Sequence, residues 1–394
     1  MSLFLRSAVV SGLAILQTAS TAGAVGLENH RIVARSALDL LPESVAPLFV
    51  SNRPAFTDRA VEPATVWMND PDMRRRQMWH RVPLDLGVSE QTRDARLKAA
   101  GRFPRSEAGV KSLYQSHHLR AGGTLPWAVA ELFGDLVEAF KTGREDDIVR
   151  AAGYLTHFAG ECASPFNATT DFDGQFTDNL RFSEQKPGEA GYAHQDVQYR
   201  FDMELVNRNA GRYAEKARSS AADCPPVADP VDGAFLVLLD SLACVDEILA
   251  ADKQIIQRLG VTDGTGLLAR VDEYYVLLDE RCGEVCIERL RAGAVFAAGL
   301  IRGAWEAAGK PSVDDIRARQ APAAQAPRDH GTPSSAPQPA PSGGFVGSRG
   351  SQVFHRADCP HAVRIGSGNA VRFPTAREAV AQGRRACKTC NPND

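Results

Sequence analysis

The chain has 394 residues, 44% of them hydrophobic, with a formal net charge of −3, which provides enough apolar material for a large core and for two or three domains. A slightly acidic chain does not have the overall character of a nucleic-acid binder, but its charge is unevenly divided. Residues 348–394 hold eight Lys or Arg against three Asp or Glu, about +5, and the remainder carries about −8, so two bodies of opposite sign are expected.

Arg6 precedes the apolar run Ala8–Leu16, and Ala22, Gly23 and Ala24 supply the small residues a signal peptidase needs. The run is shorter than the roughly 20 apolar residues of a bilayer span. Residues 1–24 therefore read as a signal peptide, with Val25 as the new amino end and a secreted or periplasmic address. No later run is long and apolar enough to span a membrane. From Glu28 to Leu41 the residues Val33, Ala34, Ala37, Leu38 and Leu41 make one helical face, ended by Pro42. His30 lies at its start, close enough to Val25 for amine, carbonyl and imidazole to reach one ion. Residues 52–90 read as irregular, broken by Pro54, Pro63, Pro71 and Pro83, with Trp79, His80 and Asp85 as polar groups among apolar neighbours. Pro126 then opens an amphipathic helix through Lys141, with Val129, Leu132, Phe133, Leu136, Val137 and Phe140 at three-four spacing.

The stretch from Gly153 to Gln175 is the chemical centre of the chain. His157 and Glu161 stand four apart where Ile148, Ala152, Leu155 and Ala159 recur at helical spacing, so both project from one buried wall. Burying an imidazole and a carboxylate is costly unless they are satisfied. A metal ion does this, and so does a direct bond between the two. The helix breaks at Ser164-Pro165, and Asn167, two Thr and an Asp-Gly turn re-enter the same neighbourhood. A helix from about His194 to Arg208 places His194, Gln198 and Asp202 on one face. Further helices are expected over about 233–259, 267–281 and 284–308, which makes residues 25–310 one mostly helical domain. Its five cysteines, Cys162, Cys224, Cys244, Cys282 and Cys286, leave one over in any disulfide scheme, and their pairing stays open.

Residues 311–347, rich in Pro, Ala, Ser and Gly, read as a linker with polyproline character. The final body, 348–394, carries His355, Cys359 and His361 and then Cys387 and Cys390 spaced by two residues. So small a module has little core, and a structural zinc ion is the expected remedy; disulfides or free thiols are the alternative.

Taken together, His30, "ALDLLPESVAPLFVSNR", His80 with "PLD", "LPWAVAELF", "HFAGECASPFNATTDFDGQ" and "RFDMELV" resemble the zinc-dependent phospholipase C and single-strand nuclease superfamily over nearly all of 25–310. The resemblance implies a helical bundle with three zinc ions in one cleft. It matches Val25 to the N-terminal ligand, His30 to the next, and His80 and His157 to the most buried ion, whose further carboxylate is replaced by Ala64. Glu161 stands at the bridging Asp, Asn167 and Gln198 at two His positions, and Asp202 at the remaining carboxylate. Amides are poor zinc ligands, so one zinc position is expected weak or empty, with His194 as a substitute one turn away. Glu161 and Asp85 are the candidate catalytic carboxylates, Asp85 either supporting a ligand from behind or orienting water. The C-terminal "VFHRADCP" and "FPTAREAVAQGRRACKTCNP" resemble the zinc-binding module of the Ada DNA-repair protein, implying His355, Cys359, Cys387 and Cys390 as ligands, with His361 in reserve. A His in place of one Cys argues against a methyl-acceptor role. The resemblances imply an exported, weakened phosphoric-ester hydrolase acting on phospholipid or single-stranded nucleic acid, its basic module contacting a polyanion. The alternative is an inactive metal-binding scaffold whose zinc module binds a polyanion or envelope partner.

Overall fold

The computed structural model describes residues 27–67, 79–88, 92–117, 123–172, 174–177, 191–193, 196–218, 224–262, 264–319, 345–348, 353–356, 359, 362, 370–387, 390 and 392. The signal peptide, Val25, His194, His361 and residues 320–344 of the expected linker lie outside them. The chain divides into two compact units, Met1–Ala324 and Gln325–Asp394.

The first unit is mostly helical. Its helices are α1 (Glu28–Leu38), α2 (Ala46–Val50), α3 (Arg53–Arg59), α4 (Glu62–Thr65), α5 (Arg93–Ala100), α6 (Glu107–Ser116), α7 (Leu125–Thr142) and α8 (Glu145–Ala163). They continue with α9 (Leu205–Ala217), α10 (Pro230–Leu242), α11 (Val245–Leu259), α12 (Gly264–Ala269), α13 (Val271–Ala307) and α14 (Val313–Ala318). The central helix, α8, packs against α7, α13, α3, α1 and α10. It starts with three acidic residues, Glu145, Asp146 and Asp147, which complement the positive end of the helix dipole, and it ends before Pro165. Ile148, Ala152, Leu155, Phe158, Ala159 and Cys162 are buried along it. Gly153 lets α3 come close: a Cβ there would meet Arg59 Cβ and lie 3.1 Å from the Phe56 carbonyl oxygen.

Several expected boundaries move. Pro54 and Pro63 open α3 and α4 instead of breaking the chain, because proline is tolerated in a helix's first turn. The expected helix over 233–259 is two, α10 and α11. Those over 267–281 and 284–308 fuse into the 37-residue α13. It runs through Gly283, where the Tyr213 hydroxyl and the Asp279 carboxylate leave no room for a side chain. The first body also runs past residue 310: Ile316 of α14 is fully buried, Trp305 donates to the Pro311 carbonyl at 2.9 Å, and Arg319 donates to the Phe140 carbonyl at 2.8 Å. Two short strands, β1 (Gln175–Thr177) and β2 (Gly191–Ala193), pair antiparallel. Among the described residues no helix is long and apolar enough to cross a membrane.

The second unit is a mixed four-stranded sheet of β3 (Phe345–Ser348), β4 (Val353–Arg356), β5 (Ala370–Phe373) and β6 (Arg385–Ala386), in the order β5-β3-β4-β6, with α15 at Ala376–Ala381. The sheet thus begins at Phe345, inside the segment read as linker. Phe354, Phe373 and Ala379 form a small core. Val346, Cys359 and Cys387 form a second cluster.

Candidate metal centres

In the first unit α1 and α8 bring His30 and His157 face to face. Their rings stack with centroids 4.0 Å apart and planes 23° apart. Both direct Nε2 at one oxygen of Glu161: His30 Nε2 lies 3.4 Å and His157 Nε2 3.2 Å from Oε1. These three ligand atoms lie within 4.8 Å of one another. The His157 tautomer follows from its other nitrogen. Nδ1 is 2.9 Å from the carbonyl oxygen of Ala60, which can only accept, so Nδ1 carries the proton.

Nε2 of a neutral His157 is then a lone pair, and it faces a carboxylate, which is also an acceptor. Despite the short separation it makes no hydrogen bond, and it is buried. Protonation would relieve the clash, but burial, reinforced by the neighbouring His30, pushes the His157 pKa down to about 3. Burial alone would raise the Glu161 carboxyl, but the surrounding imidazoles, His30 and His80 among them, outweigh it and hold Glu161 well below the usual carboxylate range. An orphaned lone pair, a second imidazole and an anionic carboxylate oxygen converging on one point fit a divalent cation.

His80 is adjacent, its ring 5.2 Å from that of His157 and edge-on to it, but it is not one of the three converging ligands. It is placed by the chain beyond it, where Val82 N donates to Asn167 O at 2.8 Å and Leu84 N to Ala168 O at 2.9 Å.

The remaining expected ligands have protein partners. Asn167 Nδ2 donates to Glu161 Oε2, and Gln198 Nε2 donates to Asn167 Oδ1 at 3.2 Å. Ser164 Oγ donates to Asp202 Oδ2 at 2.6 Å. Asp202 does not follow Gln198 by an α-turn, as expected, because Tyr199–Glu204 is a π-helix, which widens the turn. Burial first, and Glu161 next, push the Asp202 carboxyl up to about 7.

Asp85 belongs to a buried network with Arg96. It is fully buried, and it accepts from Arg96, from Thr169 Oγ1 at 2.6 Å and from the Thr170 amide at 2.7 Å. Arg96 also grips Asp171 and Asp246, so the network anchors the loop after α8. Sequence reasoning passed over Arg96, whose neighbours in α5 are as polar as those of any surface arginine, and over Ala60, which acts through its backbone. Three aromatic residues of this unit are engaged within the protein. Tyr114 is buried and donates to Gly123 O at 2.7 Å, Trp127 packs edge-on to Phe235, and Phe172 lies beneath Arg81. Cys162, Cys282 and Cys286 are buried thiols outside any disulfide.

In the second unit His355, Cys359, Cys387 and Cys390 converge, their ligand atoms within 4.8 Å of one another. The Cys359 amide bonds back to Arg356 O, the Cys387 amide bonds to Phe354 O, and the Arg356 amide points at Cys390 Sγ from 3.5 Å. His355 Nδ1 is 3.7 Å from Cys359 Sγ. Burial and the neighbouring Cys359 and Cys387 push the Cys390 thiol up to about 11. Three thiols and an imidazole form a set that can hold a metal ion. Neither the protein-family models nor the curated proteins contain a match to this chain.

Proposed function

We propose that the chain is an exported metal-dependent phosphoric-ester hydrolase. Its first body would be a helical bundle of the phospholipase C and single-strand nuclease type, and its C-terminal body an Ada-like module held by structural zinc. The observation that carries this is the buried lone pair of His157 Nε2 aimed at Glu161 beside a stacked His30, an arrangement that a cation between its members would satisfy. His30, His157 and Glu161 would hold the ion, with His80 at its edge. Once bound, a divalent ion lowers the pKa of a coordinated water and neutralises charge on phosphoryl oxygens. The Ala60 carbonyl keeps the His157 lone pair pointed inward, and the Arg96 network fixes the loop that carries Asn167. The substrate would be a phospholipid headgroup or single-stranded nucleic acid, with the basic C-terminal module holding a polyanion.

The purified chain should hydrolyse a chromogenic phosphodiester when zinc is supplied and stop when a chelator is added; absence of turnover with zinc, manganese and cobalt rejects the reading. A second reading, a non-catalytic metal-binding scaffold, is favoured by one observation: Asn167, Gln198 and one Glu161 oxygen are bonded to each other, which leaves less of the site open to substrate. It predicts a bound ion without turnover.

A further inference from the structure

We infer that the first-body centre takes a single divalent ion, on His30, His157 and the Oε1 side of Glu161, and that Asn167 and Gln198 are positioning residues which clamp Glu161 rather than ligands of another ion. The inference rests on the proposal that this cluster is a metal centre.

A carboxylate that bridges two ions offers an oxygen to each. Glu161 offers one, because its Oε2 accepts from Asn167 Nδ2. The orientation of the Asn167 amide is settled by its second partner. Nδ2 also reaches the Glu161 backbone carbonyl at 3.2 Å, and a carbonyl can only accept, so this end of the amide is the donor. Oδ1 therefore faces the other way and accepts from Gln198 Nε2 at 3.2 Å. The relay runs from Gln198 through Asn167 to Glu161, directing N–H groups along the flank where a further cation would have to approach.

The Asn167 backbone is tied on both sides, its amide to Ser164 O at 3.2 Å and its carbonyl to Val82 N. Turning the side chain to offer Oδ1 to an ion would strip donors from two acceptors of Glu161, at about 1–3 kcal/mol for each buried group left unsatisfied. Asp202 does not complete such a site, since one of its oxygens holds Ser164 and it is not among the converging ligands. Among the described residues, what remains open is the convergence of two imidazole nitrogens and one carboxylate oxygen.

The full chain loaded with cobalt(II) tests this. Two ions per chain are expected, one showing thiolate-to-metal charge transfer and one showing only ligand-field bands. His157→Ala should abolish only the latter. Asn167→Ala should keep both ions, change the ligand-field bands and weaken cobalt binding at the first centre by about 10–100-fold, with the thiolate band as internal reference and helical circular dichroism as the folding control. Gln198→Ala, further along the relay, serves if Asn167→Ala misfolds. Three or more ions per chain, or unchanged affinity and spectrum in the folded variants, overturns the inference while leaving the metal-centre proposal standing. One ion, bound by thiolate alone, rejects that proposal and this inference with it.

Discussion

His157 and Asp202 both feel the Glu161 carboxylate, yet burial acts on them with opposite consequences for stability. Asp202 has its pKa raised to about 7 from an ordinary 3.8. Between these values the folded chain keeps a proton that the unfolded chain has released, so this group's contribution to stability falls as pH rises from about 4 to about 7. His157, lowered to about 3, works the other way: between about 3 and 6.5 the unfolded chain binds the extra proton, and stability rises with pH. The parent protein therefore shows a mixture, and a difference measurement isolates Asp202. In chelated protein, the urea midpoint of Asp202→Asn relative to the parent should climb from pH 4 to pH 8, and a flat difference would contradict the assignment. Asp85 makes a second prediction at this scale. Asp85→Ala leaves a buried guanidinium short of a partner, a loss of about 3–5 kcal/mol, readable by denaturant unfolding. The cobalt stoichiometry of the first unit should not change. The residue types at these positions were visible in the sequence, but their partners were not: His157 and Ala60 are 97 residues apart, and Asp85 and Thr169 are 84 apart.

Among the elements, α8 sets the site because it meets α3 and α1 at once. Gly153 permits the contact with α3, and α3 ends beside Ala60, whose carbonyl fixes His157. Gly153→Ala should cost about 1–3 kcal/mol through overpacking. If the helices separate as the added methyl requires, the Ala60 carbonyl shifts with them and cobalt affinity at the first centre falls too; intact affinity in a destabilised Gly153→Ala protein would show that the carbonyl does not orient His157. Helices with a strong apolar period were legible in the sequence: α7 lies close to its expected bounds, and α8 ends at the expected Ser164-Pro165 break. Prolines misled where they opened α3 and α4 instead of ending an element, and the break expected between residues 281 and 284 does not occur in α13. The π-helix at Tyr199–Glu204 left no sequence signal at all, since a widened turn uses the same residue types as an α-turn.

At the scale of the whole molecule the two units depend on different forces. The first buries a continuous core from Ile32 to Ile316 and can be stable without an ion. The second has two clusters of a few residues each, too little to offset chain entropy unless the His355, Cys359, Cys387 and Cys390 ligands share a metal. A fragment of residues 25–324 should keep its helical circular dichroism in chelator, whereas residues 325–394 should give dispersed proton NMR spectra with zinc and lose them when zinc is removed. Retention of dispersion in excess chelator would show that the sheet holds itself together.

Composition and periodicity determined that the chain is mostly helical, that a compositional break precedes a small Cys- and His-bearing module, and which helix carries the central His and Glu, because these depend on residues near one another along the chain. Tertiary structure decided which groups meet: it paired His30 with His157, gave one oxygen of Glu161 to the amide of Asn167, and set Asp85 in the grip of Arg96. Hydrogen-bond partners and ligand sets are set by distances between atoms far apart in sequence, and spacing along the chain carries no record of them.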